Sequence, residues 1–176
     1  MFKGQAAYNL PFGTGRTYLN NNKALDAAFG GWNLFGDVIV QGGSPFTPRM
    51  SINNSYSQSN NNLWYPNVVG NPGLSNPSIN AWFNVNAFAA PTPGTFGDMG
   101  RNAVYGPPLS AVNMSLKKTF SFTERVKVDF SVNATNLPNH PSFALPDAVI
   151  GPGHIGKITA VSVASRAVEL VAKFRF

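Results

Sequence analysis

The residues best suited to proton transfer, metal ligation or nucleophilic attack are few in this chain and do not cluster. Its two histidines, His140 and His154, stand in one loop-like stretch, and Asp147 is the one carboxylate between them. Cysteine is absent, which excludes thiolate metal sites and disulfide frameworks. The His and Asp spacing matches no metal-ligand pattern, so loop polar residues are the plainer reading. The seven carboxylates are Asp26, Asp37, Asp98, Glu124, Asp129, Asp147 and Glu169. They are spread along the chain, and no close sequence pair marks an acid and base of the glycosidase kind, although a fold could join two. Gly13-Thr14-Gly15 lacks the lysine and spacing of a phosphate loop. No Gly-x-Ser-x-Gly elbow occurs. Asn53-Asn54-Ser55 matches a glycosylation acceptor, a pattern too common to count. The expectation is a protein that is not an enzyme and uses no cofactor or metal.

Binding chemistry is better represented. Trp64, Tyr65 and Trp82 lie in a long stretch rich in Asn, Ser, Pro and Gly. Aromatic faces stack on ring-bearing ligands, which makes these three the candidate ligand-contacting loop residues. The plainer alternative is that they pin the loop to itself or to neighbouring loops. Arg101, with five donors in a planar fork, suits the anchoring of a loop turn.

Composition narrows the class. Charged residues make up 11% of the 176, against roughly 25% in soluble domains. Aromatic residues reach 12%, and 17 Gly with 14 Pro mark many turns. That mixture suits a β-rich protein whose apolar surface is not all in a core. The net charge is +6, but Lys and Arg are scattered rather than gathered into a patch, so nucleic acid is not expected as a partner. No apolar run approaches the ~20 residues of a membrane helix. The start, Met1-Phe2-Lys3-Gly4-Gln5, has no apolar signal region. An export signal is therefore expected upstream, with this chain a fragment or a product of an internal start.

The elements that would carry these residues alternate with period two. Val168, Leu170, Ala172, Phe174 and Phe176 point one way, and Glu169, Val171, Lys173 and Arg175 the other. A soluble strand rarely ends on such an apolar edge. In residues 126–135, Val126, Val128, Phe130, Val132 and Ala134 oppose Lys127, Asp129, Ser131, Asn133 and Thr135. Strands are expected near 2–10, 32–41, 110–119, 125–136 and 167–176. A short helix is expected over 22–29, with Asn22 as cap and Gly30 as stop. Residues 46–108 hold no period, and the connection after residue 137 carries a short extended piece at 155–158. A connection as long as 46–108 is rare in a compact soluble domain, and its aromatics suit a folded surface loop rather than disorder.

Length and connectivity point to a membrane barrel. Ten tilted residues rise roughly 23 Å across a bilayer, matching an apolar band of about 25 Å. With the C-terminus periplasmic, the 46–108 and 137–165 loops fall outside. The 120–124 turn and the 11–31 link fall inside, the latter longer than periplasmic turns usually are. The fold class expected is all-β: an antiparallel transmembrane β-barrel segment of about five long strands, open as it stands, with long extracellular loops and one short helix in a periplasmic connection. Val126, Val128, Phe130 and Val132 are expected to face lipid. Tyr8, Trp32 and Phe174 suit interfacial aromatic girdles. Five strands leave two free edges, so further barrel strands are expected to precede these.

Several ordered motifs then carry a resemblance. Arg101-Asn102, Gly106-Pro107, Val112 to Lys118, Phe122-Thr123-Glu124-Arg125 and Asn136-Leu137-Pro138-Asn139-His140-Pro141-Ser142-Phe143 resemble the end of the barrel of TonB-dependent outer-membrane receptors. Gly30-Gly31-Trp32, Gln41 to Phe46, Trp82-Phe83-Asn84 and Gly94 to Gly97 resemble the Oar-like subgroup, which has an N-terminal carboxypeptidase-regulatory-like domain. The resemblance covers nearly the whole chain, whereas plug domain, TonB box, signal and most of the barrel have no counterpart. It implies energy-coupled uptake of an unidentified ligand. The implied partners are outer-membrane lipid, the remaining strands and plug of the receptor, TonB through the N-terminal part, and the barrel-assembly machinery. A soluble β-sandwich binding or adhesion module is the alternative, needing the apolar faces to pack on each other. A non-energised porin-like channel is a third.

The resemblance also implies that Val168, Leu170, Ala172, Phe174 and terminal Phe176 form the signal read by the barrel-assembly machinery. Deletion of Phe176 is expected to lower the amount of heat-modifiable, folded protein in the outer membrane while leaving ligand affinity of the assembled fraction unchanged. Unchanged assembly would refute that role.

Overall fold

The computed structural model describes residues 1–19, 23–56, 64–151, 153 and 155–176. Asn22 and His154 lie outside the described residues, so the expected cap and the second histidine receive no structural account. The chain divides into two compact units, one of residues 1–41, 110–141 and 163–176, the other of residues 42–109 and 142–162.

The first unit is a five-stranded sheet. Its strands are β1 (Phe2–Asn9), β2 (Asn33–Gln41), β3 (Leu109–Ser121), β4 (Lys127–Thr135) and β5 (Ala167–Arg175), in spatial order β1-β2-β3-β4-β5. Sequence neighbours are thus sheet neighbours throughout, the meander of an open β-barrel segment. The pairs β1–β2, β3–β4 and β4–β5 are antiparallel. All five strands fall within two residues of their expected bounds. Strand β3 runs two residues further than expected, because Phe120 and Ser121 continue the ladder opposite Val128 and Lys127. Val126 was expected in the strand and instead sits in the turn. There its amide donates to the Thr123 hydroxyl, and its carbonyl accepts from Phe122 and Thr123.

The registers align the alternating faces across strands. Phe2, Gly4, Ala6 and Tyr8 stand opposite Val40, Val38, Gly36 and Leu34. Met114, Leu116, Lys118 and Phe120 stand opposite Ala134, Val132, Phe130 and Val128. Those four in turn face Val168, Leu170, Ala172 and Phe174. One face is therefore apolar across the sheet apart from a single charge, Lys118. The opposite face carries Lys3, Gln5, Asp37, Lys117, Asp129, Glu169, Lys173 and Arg175. A one-residue slip would exchange the faces, so the pattern specifies the register strongly.

Within this unit, among the described residues, no second sheet packs on the apolar face. Val168, Leu170 and Phe174 are 61%, 68% and 68% exposed. The sandwich alternative required such faces to bury one another, and here they do not.

The helix α1 (Lys23–Phe29) lies in the link between β1 and β2. The Thr14 amide and hydroxyl both donate to the Asp26 carboxylate, at 2.9 and 2.6 Å. Glycine is required at residue 13, where φ is +106° and a Cβ would overlap Asp26 and the Gly30 backbone.

At the opposite end of the sheet, Asn136 follows β4 with φ at 48° and only 2% exposure. Its side-chain amide donates to the carbonyls of His140 and Ala164, at 3.1 and 2.7 Å, and its carbonyl accepts from the His140 amide. The Asn136 amide donates to the Asn113 side chain on β3. Asn139 adds a second stitch by accepting from the Arg166 amide at 2.9 Å. These bonds tie the ends of three strands, and Asn tolerates the left-handed conformation that most residues resist.

The second unit comprises the two long connections. It is ordered by pairs of very short strands: Pro45–Phe46 with Val104–Tyr105, Asn67–Val68 with Phe88–Ala89, and the parallel pair Arg49–Met50 with Val149–Ile150. Ser142–Phe143 pairs with Val161–Val163. The extended piece expected at 155–158 is not a strand, and Ile158 instead donates its amide to Ile79 and is 9% exposed. Phe46, Phe83, Ala87, Phe88, Met99 and Val104 form a buried core. Phe83 meets Phe46 and Phe88 edge-on, with centroids at 5.7 and 5.9 Å, a favoured aromatic geometry. Glycine is needed at residues 43 and 97, where a Cβ would overlap the carbonyl oxygens of Gly106 and Tyr65.

Replacing Asn136 by Ala leaves two carbonyls and one amide without partners. It is expected to destabilise the sheet by ~2–3 kcal/mol, read as a lower urea midpoint for unfolding from lipid vesicles.

Candidate functional site

Three arrangements could act on something outside the chain: the polar face of the sheet, its apolar face, and the core-bearing loop unit.

The polar face is a hydrogen-bonded lattice. Asn113 on β3 donates to Asp37 on β2 at 2.8 Å. The Ser115 hydroxyl donates to Asn133 at 2.6 Å, and the Asn133 amide reaches Glu169 on β5 at 3.4 Å. Thr119 and Arg175 both donate to Asp129, each at 2.6 Å. Lys117 lies 5.3 Å from the Phe35 ring centroid. A groove of about 530 Å³ runs along this face, lined among others by Gln5, Asp37, Asn113, Ser115 and Asn133. Such a surface offers donors and acceptors to water or a polar solute. It holds no close pair of carboxylates.

The apolar face carries Val128, Phe130 and Val132 at half-buried positions within β4, with Val126 outside it in the turn. Val168, Leu170, Ala172 and Phe174 share that face on β5, and Phe176 follows the strand fully exposed. Aromatic residues gather at the end of the sheet where the short turn lies. Trp32 meets Phe120 and Phe130 edge-on, with centroids at 6.4 and 6.2 Å. Tyr8, opposite Leu34, is 57% exposed.

Lys118 is a further residue that strand patterning places out of keeping with its face. Continuing Val112, Met114 and Leu116 by two places puts its charge on the apolar face. It is 6% exposed. Its ammonium donates to the Ala27 carbonyl and, at 3.3 Å, to the Asp26 carbonyl at the end of α1. It also lies 4.8 Å from the Phe120 ring centroid and 5.9 Å from that of Trp32. The period-two count reveals the misplaced charge, but nothing local in the sequence names its distant partner.

The loop unit holds the three aromatic candidates. Trp82 is half-buried against the core, and its indole N–H donates to the Tyr105 carbonyl at 2.9 Å. Tyr65 packs on the same core, and its hydroxyl accepts from the Arg101 Nε at 3.2 Å. Trp64 is half-buried, and its buried indole nitrogen has no acceptor among the described residues. Trp82 and Tyr65 therefore contact the loop's own structure. Beside Tyr65 is a cleft of about 480 Å³ whose lining includes Phe46, Arg49, Tyr65, Arg101 and Leu145. Its lining combines two guanidinium-bearing residues with apolar ones, a composition that suits a ligand with a negative group and a hydrophobic body. Among the described residues no group of three His, Asp or Glu could hold a metal ion.

Residues 1–169 match the family model described as "Outer membrane beta barrel domain". No curated protein and no solved structure matches the chain.

One titratable group outside the strands is clearly shifted. The Thr14 hydroxyl hydrogen bond, then the Thr14 amide, hold the Asp26 carboxyl below the usual carboxylate range; desolvation opposes them and the Lys118 charge assists. A depressed native pKa contributes stability that is present above the unfolded value of about 3.9 and is lost as pH falls through the native value. Acidification below about pH 4 is thus expected to loosen the 11–31 link, read as faster exchange of the Thr14 amide. In Asp26→Ala that exchange should be fast already at neutral pH.

Proposed function

Taking as premise that this chain belongs to the outer membrane beta barrel domain family and resides in the outer membrane, we propose that it forms part of a receptor whose barrel takes up a ligand by TonB-coupled transport. The apolar face, with Val128, Phe130 and Val132, then meets lipid, and the polar lattice lines the interior. The long connections carry ligand-facing surface on the extracellular side, as the alternation of long and short links in outer-membrane barrels suggests. The ordered series of motifs from Gly30-Gly31-Trp32 to Asn136-Leu137-Pro138-Asn139 supports the receptor subgroup over other barrels. Partners on this reading are the remaining strands and plug of the receptor, TonB, and the barrel-assembly machinery.

The observation that carries the reading is the loop unit. Residues 42–109 and 142–162 build a core of their own, far more structure than a strand connection needs. That core holds Tyr65 and Arg101 at the rim of a cleft. A rigid, pre-ordered loop surface lowers the ordering cost of capturing a ligand.

The polar lattice would equally line a passive channel, so energy coupling is the property to test. Accumulation of culture-medium solutes in cells carrying the protein is compared with and without a protonophore, and with and without TonB. Loss of protein-dependent accumulation under both treatments is expected. Accumulation that survives both would overturn the coupled reading in favour of a porin-like channel.

A further inference from the structure

The link between β1 and β2 is much longer than a strand turn requires, and its helix is unusual. Of the residues of α1, Ala24, Leu25, Ala27, Ala28 and Phe29 are all exposed, with Phe29 at 54%. Its polar residues are Lys23 at the start and Asp26, which is turned inward to Thr14. Tyr18 is also exposed, at 57%. In water this surface would be unfavourable, since exposed apolar area gains nothing from helix formation.

Its attachments show which side of the sheet it lies on. Lys118 and Trp32 both belong to the apolar face, and both donate to the last carbonyls of α1: Lys118 to Asp26 and Ala27, Trp32 to Ala28 at 3.0 Å. The carbonyls of Ala27 and Ala28 are among those a helix end leaves without internal partners, whereas that of Asp26 also accepts from the Gly30 amide; a cation at this end complements the helix dipole. Phe120 and Phe130 flank Trp32 on the same face. The helix therefore stands beside the aromatic end of the surface proposed to meet lipid, continuous with it.

We propose that residues 11–19 and 23–31 form a foot lying in the phospholipid interface at the short-turn end of the barrel, with Phe29, Leu25 and Tyr18 in the acyl–headgroup boundary and Lys118 as its tether. An apolar helix face held parallel to a membrane surface is the geometry of interfacial helices. The same contact removes the difficulty of a lysine on the apolar face, because its ammonium is capped by protein carbonyls instead of meeting hydrocarbon. The length of the link follows from this work, whereas joining β1 to β2 alone needs only a few residues. The inference rests on the proposed lipid contact of the apolar face, not on TonB coupling.

The 176 residues contain no cysteine, so one introduced thiol is unique among them. Nitroxide labels are placed by Phe29→Cys, Val132→Cys and Glu124→Cys in the intact protein, reconstituted in vesicles of phosphatidylethanolamine and phosphatidylglycerol. Collision rates are read with oxygen and with a neutral nickel chelate. A label at 132 is expected to favour oxygen strongly, one at 124 to favour nickel, and one at 29 to show nickel access several-fold below that at 124. If 29 matches 124 while 132 remains in lipid, the foot is refuted and the barrel reading stands. If 132 is itself open to nickel, the lipid contact of the apolar face fails first. Lys118→Met is expected to raise nickel access at 29 several-fold, and Lys118→Arg to keep it low. Trp32→Phe, which keeps a smaller aromatic ring but removes the indole donor, should raise it in the same direction. No change in either Lys118→Met or Trp32→Phe would overturn the tether.

Discussion

A sheet face in contact with hydrocarbon cannot leave a polar group without a partner, because lipid supplies none. On the proposed lipid contact of the apolar face, that constraint accounts for the order of the first unit of this chain. Three strand registers bring apolar side chains into line on one side, and bring donors and acceptors into line on the other. The two sides are then coupled by geometry, since every residue moved to one face displaces its neighbour to the other. The polar side satisfies itself through Asn113–Asp37, Ser115–Asn133 and the shared Asp129 acceptor. The Arg175–Asp129 pair is half-exposed at 2.6 Å, and such pairs add at most about 1 kcal/mol. Its value is in fixing the edge of β5 against β4 rather than in gross stability.

Lys118 is the exception that shows how strict the constraint is. A charge in the apolar row recruits two backbone carbonyls and two aromatic rings. Removing the helix would take both carbonyl acceptors from an ammonium on an otherwise apolar face, a greater cost than the loss of one hydrogen bond between neutral groups. The β1–β2 link and strand β3 are thus bound into one arrangement. Thr14, Asp26, Gly13 and Gly30 hold the link in shape so that the carbonyls are presented where the lysine reaches.

The loop unit obeys different rules. Its strands are two or three residues long, too short to be stable by pairing alone. Packing of Phe46, Phe83 and Phe88 and the close backbone approaches at Gly43 and Gly97 supply what the ladders lack. Aromatic residues that sequence marks as possible ligand contacts are also spent on this packing. Trp82 and Tyr65 each have one side on the core and one polar atom bonded within the loop.

Strand positions, the two faces, the short helix and the membrane class could all be read from residue order, because period-two alternation and turn residues act locally. Misplacing Val126 and extending 155–158 show the limit: strand ends depend on turn hydrogen bonds such as Val126 to Thr123, not on hydropathy. The Asn136 stitch was visible as a motif but not as a network, since its partners include Ala164, 28 residues away. The core beneath 46–108 was invisible because aperiodic segments carry no register to project. The lysine shows the division best. Its presence on the apolar face is a matter of counting by twos from Val112, and sequence alone determines it. Its partner is a helix end 91 and 92 residues earlier in the chain. Only the folding of β3 beside β2 brings the two together, because such a contact depends on strand order, which no local pattern encodes.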